Sequence, residues 1–254
     1  MDLGLSGKRA LVTGASRGIG FACARTLAAE GCDVALAARN VKRLKSAVKT
    51  IRAEQRVGVT SHATDLSNEA RRQALVDVVG DVDILINNAG AIPPGNLAAV
   101  DDDTWRESWE LKVFGYINLV RLVLPRMEER GSGVIINVVG AAAVKPSANY
   151  VAGATGNSAL VGFTRAVGSQ SVRHGVRMVS VNPGLILTDR LEELLRKAAE
   201  DRYGNAERWD ELVPTEPPPG TPEQVADVVT FLASDRASHV SGTTLTIDGG
   251  ALGL

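Results

Sequence analysis

A chain of 254 residues, 44% hydrophobic and 22% charged, has a globular composition and room for one α/β domain or two small ones. Its 28 basic and 29 acidic residues leave a formal net charge of -1, which argues against a nucleic-acid footprint or a membrane-surface patch. No apolar run reaches membrane-spanning length, Met1–Leu5 lacks the regions of a signal peptide, and Cys23 and Cys32 form no metal-ligand pattern; the expectation is a cytoplasmic protein with reduced thiols and no metal.

The first element is a strand ending in Ala10, Leu11 and Val12, followed by a turn punctuated by Gly14, Gly18 and Gly20 and a helix from Ile19 to Glu30. Glycines here remove Cβ atoms where backbone approaches a pyrophosphate, and the helix N-terminus offers free N–H groups and a favourable dipole. Strand, Gly-rich turn and helix are the context in which such a triplet reads as a dinucleotide site. The spacing, Gly-x-x-x-Gly-x-Gly, differs from the common Gly-x-Gly-x-x-Gly.

Val34–Ala38 is a continuous apolar run, as in a buried parallel strand. An acid at the end of that strand favours NAD and a base favours a 2′-phosphate. Ala38 stands there, Arg39 follows, and Arg17 adds a second cation; both point to NADP, unless Arg39 merely opens the solvated helix of residues 41–55. Residues 57–62 form the third strand. Asp65-Leu66 follows, with Asp65 able to cap a helix over 67–79. A short strand then ends in Asn87-Asn88-Ala89-Gly90, where Asn87 can stitch neighbouring strands and Ala89 and Gly90 leave room for a cofactor.

Residues 102–130 read as one long helix, with Trp105, Trp109, Lys112 and Tyr116 on one face. A strand over 134–139, a small-residue helix over 148–174 and a strand over 176–181 follow. Pro183-Gly184 and Thr188 make a turn, residues 189–214 are helical and charged, Pro222 opens a helix to Ser234, and Thr244–Ile247 is the last strand. The alternation predicts an α/β fold, a doubly wound parallel sheet of about seven strands with helices on both faces and sites at the carboxyl ends of the strands.

Together, Thr13-Gly14-x-x-x-Gly18-Ile19-Gly20, Asn87-Asn88-Ala89-Gly90 and Pro183-Gly184-x-x-x-Thr188 resemble the short-chain dehydrogenase/reductase family, over essentially the whole chain. The resemblance implies a single NAD(P)-binding Rossmann-type domain over 1–254 with a substrate lid around 189–220. It implies cofactor contacts from Gly14, Ser16, Arg17, Gly18, Ile19, Gly20, Arg39, Asp65, Leu66, Asn87, Ala89, Gly90, Pro183, Gly184 and Thr188, with Asp65 meeting the adenine. A homotetramer or homodimer is implied as well. In the lid, Leu191, Leu194, Leu195, Trp209 and Leu212 lead to the expectation of an apolar small-molecule substrate.

The resemblance also implies a Tyr acid/base, a Lys four residues later, a Ser about thirteen residues before, and an Asn on the long preceding helix. Tyr150 does not fit, because Ala154 stands four residues on. Counting back about thirty residues from Pro183 gives Gly153 at the Tyr position, with Asn157 at the Lys position, Gly140 at the Ser position and Lys112 at the Asn position. Lys112, Tyr150 and Asn157 are the catalytic candidates. Lys112 either acts as acid and oxyanion anchor or lies along the surface beside Glu107 or Glu110. Tyr150 either donates its phenol or packs at the helix entrance. Gly153 and Gly156, each costing about 1 kcal/mol in a helix, mark a close approach of cofactor, substrate or subunit. The expected function is an NADP-dependent carbonyl–alcohol oxidoreductase with a non-standard proton-transfer site; a non-redox lyase or hydratase, and a silent NADP-binding protein, stay open.

Overall fold

The computed structural model describes residues 2–253; Met1, and Leu254 at the end of the apolar tail, lie outside the described residues. Seven strands form one parallel sheet: β1 (Arg9–Thr13), β2 (Asp33–Ala38), β3 (Val59–Ala63), β4 (Ile84–Asn87), β5 (Gly133–Val138), β6 (Val176–Pro183) and β7 (Thr244–Ile247). Their order is β3-β2-β1-β4-β5-β6-β7. The order reverses between β1 and β4, and ligands of such sheets bind outside the strand ends at that switch.

The central strands are continuous apolar runs because helices cover both faces. On one face lie α1 (Gly18–Ala29), α2 (Val41–Glu54) and α8 (Pro222–Ala233), whose Leu27, Leu44 and Val229 are buried against Val12, Leu36 and Ile86. On the other lie α3 (Glu69–Val79) and α5 (Gly115–Arg130), whose Leu75 and Leu119 join Leu11, Leu85 and Ile135. Next to them comes α6 (Val151–Ser171). Cys23 and Cys32 are buried free thiols. Among the described residues no helix is long and apolar enough to cross a membrane.

Three elements differ from the sequence reading. The long helix is α4 (Asp102–Trp109), a π-helical turn over Glu110–Phe114, and α5. Such turns insert an extra residue and are frequent at functional sites; this one carries Lys112. The small-residue helix begins at Val151, not Ala148, because the preceding chain is drawn into pairing: Gly95 N–H donates to Asn149 O and Val151 N–H to Gly95 O. Tyr150 is left as its N-cap residue. Residues 189–214 split into α7 (Asp189–Tyr203), ended by left-handed Gly204, and a 3-10 stretch over Ala206–Leu212.

Helix starts also differ. Asn68, not Asp65, caps α3, by accepting from Arg71 N–H. Side chains of Asn40, Asp101, Thr188 and Thr221 cap α2, α4, α7 and α8. No side chain caps α1.

Candidate active site

The nucleotide end of the site is built on Thr13, the last residue of β1. Its buried hydroxyl accepts from the N–H groups of Asn88 (2.9 Å) and Ala89 (3.0 Å), and the Asn88 amide donates back to Thr13 O at 3.1 Å. The loops after β1 and β4 are thus tied together. Gly14 and Gly20 leave the room that this tie needs. A Cβ on Gly14 would lie 2.8 Å from the Asn88 amide nitrogen, and one on Gly20 would overlap Asn88 and the Gly14 carbonyl.

Beside this tie runs a cleft of about 340 Å³, lined by Gly14, Ser16, Arg17, Gly18, Ile19, Arg39, Leu66, Ala89, Gly90 and Thr188 as the sequence indicated. The uncapped N-terminus of α1 opens here, leaving N–H groups for a phosphate. The residues present therefore fit a dinucleotide.

Five expected contacts lie off the cleft lining. Asn87 is buried, and its amide donates to Asn137 Oδ1 (3.0 Å), stitching β4 to β5. Gly20 lies inside the loop, Pro183 is buried within β6, and a Cβ on Gly184 would meet Asp248. Asp65 spends Oδ1 on the Ser67 N–H (3.0 Å) and hydroxyl (2.8 Å). Burial opposes its charge, but the Ser67 bonds and nearby Arg39 and Arg71 leave its carboxyl below the usual range. Cleft residues that sequence reasoning missed include Asn40, Arg43, Asn88, Leu111, Asp189 and Arg190. The second Asn of the Asn-Asn-Ala-Gly motif was a signal available for Asn88.

The four arginines of the cleft are not equivalent. Arg17 reaches across to α7, to Glu193 at 2.8 Å and Asp189 at 3.6 Å. Arg39 and Arg43 form no ion pair among the described residues, and Ala38 brings no carboxylate beside them. Arg190 donates Nη2–H to Ile92 O at 3.0 Å.

Behind Gly90 and Leu111 of the cleft, three polar side chains that do not themselves line it, Lys112, Tyr150 and Asn157, fill space that three glycines leave. The Lys112 stem lies over Gly90, where a Cβ would be 2.8 Å from the Lys112 Cβ; the ammonium goes on to donate to Val139 O at 2.6 Å. Lys112 makes no ion pair among the described residues; Glu110 pairs with Arg72 instead. Burial, and secondarily Arg190, lower its pKa from 10.5 to about 8. The Tyr150 ring occupies the space a Cβ on Gly153 would need, and burial raises its pKa against a smaller opposing effect of Arg190. Asn157 is 2% exposed and does not line the cleft. Its Nδ2 lies 2.9 Å from where a Gly140 Cβ would be, and its Oδ1 has no partner among the described residues.

Aromatic packing supports this end. Trp105 and Trp109 stand with ring centroids 6.2 Å apart, and Trp109 donates to Ala152 O at 2.9 Å. Tyr116 donates its hydroxyl to Val138 O at 3.1 Å. Trp105, Trp109 and Tyr116 thus pack in apolar clusters with Ile92, Val139 and α6, on either side of the π turn that carries Lys112. The apolar lid residues do not line the cleft. α7 contributes Asp189 and Arg190 to the cleft, whereas Trp209 lies in a separate groove beside Phe21, Leu187 and Pro222.

Residues 8–199 match the family described as short chain dehydrogenase. The chain belongs to that family. A 2,3-dihydro-2,3-dihydroxybenzoate dehydrogenase of Bacillus subtilis is 33% identical, over 98% of this chain and 97% of that protein. A 7alpha-hydroxysteroid dehydrogenase of Escherichia coli is also 33% identical, over 99% of this chain and 96% of that one. Among solved structures, L-sorbose reductase from Gluconobacter frateurii, complexed with NADPH and L-sorbose, superposes with a TM-score of 0.94 at 33% identity and covers 100% of both chains. The family match spans β1 to α7, so it takes in both ends of the cleft.

Proposed function

We propose that the protein is an NADP-dependent oxidoreductase that interconverts a carbonyl and an alcohol through a non-standard proton-transfer site. The observation that carries this reading is Lys112: an ammonium held against the Val139 carbonyl next to Gly140, without a carboxylate partner, and lowered to about 8. A group that titrates near the working pH can both give and take a proton. The bound nicotinamide would exchange hydride with the substrate carbon. Lys112 would hold the substrate oxygen and protonate it during reduction; as the neutral amine it would accept the proton during oxidation. The Tyr150 phenol, rooted over Gly153, would line the substrate site and share that oxygen. Asn157 would act as a positioning residue, supporting the Val139–Gly140 loop from beneath.

The preference for NADP over NAD rests on Arg39 and Arg43 beside Ala38. Of the expected cofactor contacts, Asn87, Gly20, Pro183 and Gly184 would act by shaping the loops, and Asp65 would reach the adenine only with its second oxygen. In this reading α7 and the residues up to about 220 form the lid of a single domain, and Arg17 ties that lid to the Gly-rich loop. The enzyme would be a cytoplasmic homodimer or homotetramer, joined along the exposed small residues Thr155, Ser158 and Ala159 of α6.

Initial rates of NADPH oxidation against a panel of ketones and aldehydes test the proposal. Reduction should slow as the pH rises through about 8, and Lys112→Met should remove that limb and lower kcat by about 10²–10⁴. Turnover that ignores Lys112 would refute it. Conversion with no change in nicotinamide absorbance would favour a lyase, and NADPH binding without any turnover would favour a binding protein.

A further inference from the structure

Two cations, Arg190 on the cleft lining and Lys112 behind Gly90, form no ion pair among the described residues. Arg190 lines the cleft and uses a single donor, to Ile92 O, of the five a guanidinium carries. Lys112 packs on Gly90 and uses one donor, to Val139 O. The Lys112 stem crosses Gly90 on its way to Val139 O and the Arg190 guanidinium meets Ile92 O, so both side chains pass the same short segment, residues 90–92. At this end of α7, Asp189 and Glu193 both face Arg17, and Arg190 acts on Glu193 only from beyond ion-pair distance. Like charges brought this close oppose each other, consistent with the lowered pKa of Lys112, in which Arg190 has a part. A half-buried guanidinium with one hydrogen bond and no direct ion pair is a costly arrangement unless a ligand completes it.

We infer that the physiological substrate carries an oxyanion, a carboxylate or a phosphate, close to its reacting carbon, and that Arg190 is the residue that selects it. This rests on the reading of Lys112 as the group that holds the substrate oxygen: Lys112 takes the carbonyl or hydroxyl, and Arg190 takes the anion. The planar fork of Arg190 suits bidentate contact with either oxyanion. The substrate class is thus oxo acids, hydroxy acids or sugar phosphates rather than the uncharged apolar compounds that the leucines of α7 led one to expect.

The test is binding to the enzyme·NADP⁺ complex by titration calorimetry, where an oxo compound binds without turning over. Pyruvate and acetoacetate are compared with their methyl esters, and dihydroxyacetone phosphate with dihydroxyacetone. At least one anion should bind tenfold or more tightly than its neutral partner, and the pair in which this occurs identifies carboxylate or phosphate. Arg190→Gln should abolish the preference and Arg190→Lys should restore part of it. Anions and neutral partners binding alike, or no anion binding, overturns the inference. So does an Arg190→Gln protein that loses NADP⁺ affinity but keeps the anion preference, since Arg190 would then serve the cofactor. Anion preference without any turnover would leave Arg190 as inferred and refute the redox reading instead.

Discussion

Replacing Lys112 with methionine should make the protein more stable at neutral pH. Methionine keeps an unbranched stem over Gly90 and removes the ammonium. Burial takes that ammonium from 10.5 to about 8, and at roughly 1.4 kcal/mol per pH unit the charged form costs the fold about 3 kcal/mol. Losing the bond to Val139 O gives back about 1 kcal/mol, for a net gain of about 2 kcal/mol at pH 7. For a chain of this size that is roughly 4–8 °C in Tm. The unfolded chain binds the Lys112 proton more tightly than the folded one, so wild-type stability rises with pH at this site. The penalty is full below about 8 and is lost as the pH approaches 10.5. Urea unfolding of both proteins from pH 6.5 to about 10 measures the difference directly, and the other titrating groups cancel. A variant no more stable than wild type at pH 7, or a difference that does not shrink with rising pH, refutes the account of Lys112 as a desolvated ammonium.

Two further outcomes are expected. Arg39→Asp should raise KM for NADPH by about tenfold or more while sparing NADH, because a carboxylate would stand on the cleft wall in place of the guanidinium; unchanged cofactor discrimination in initial-rate assays would assign that selection elsewhere. Gly153→Ala should destabilise by about 1–3 kcal/mol, since its methyl group and the Tyr150 ring claim one volume. In a Tyr150→Ala background the same change should stabilise by about 1 kcal/mol, the ordinary helix preference for alanine. A double-mutant cycle in urea reads the coupling, and simple additivity would mean the ring does not sit over Gly153.

The sheet was legible because each central strand is an apolar run between turn signals; β7 begins and ends where its pattern does. The cleft was legible through Gly14, Gly18, Ala89 and Thr188, although the reason for Gly14 was not, since its neighbour Asn88 is 74 residues away in the chain. Helix starts failed where tertiary pairing overrode local pattern. Ala148 to Tyr150 have helical composition, but Asn149 and Val151 bond Gly95. The π turn at Glu110–Phe114 is a single turn, shorter than the window over which a helical period can be read from sequence. Arg190 went unnoticed because one arginine at the head of a charged helix looks like a solvated residue until its missing partner is seen.

The fit of Lys112 over Gly90, Tyr150 over Gly153 and Asn157 under Gly140 has a consequence for how this site can change. Each glycine is open only because a neighbour has moved in, and each neighbour is held only because the glycine is bare. Installing a tyrosine at position 153, or a serine at 140, would collide with the current tenant before it could meet a substrate. Building a serine–tyrosine–lysine arrangement at these positions would therefore pass through misfitting intermediates and need paired replacements. Sequence histories of this site should show its positions changing together, and a library that varies them singly should recover almost nothing.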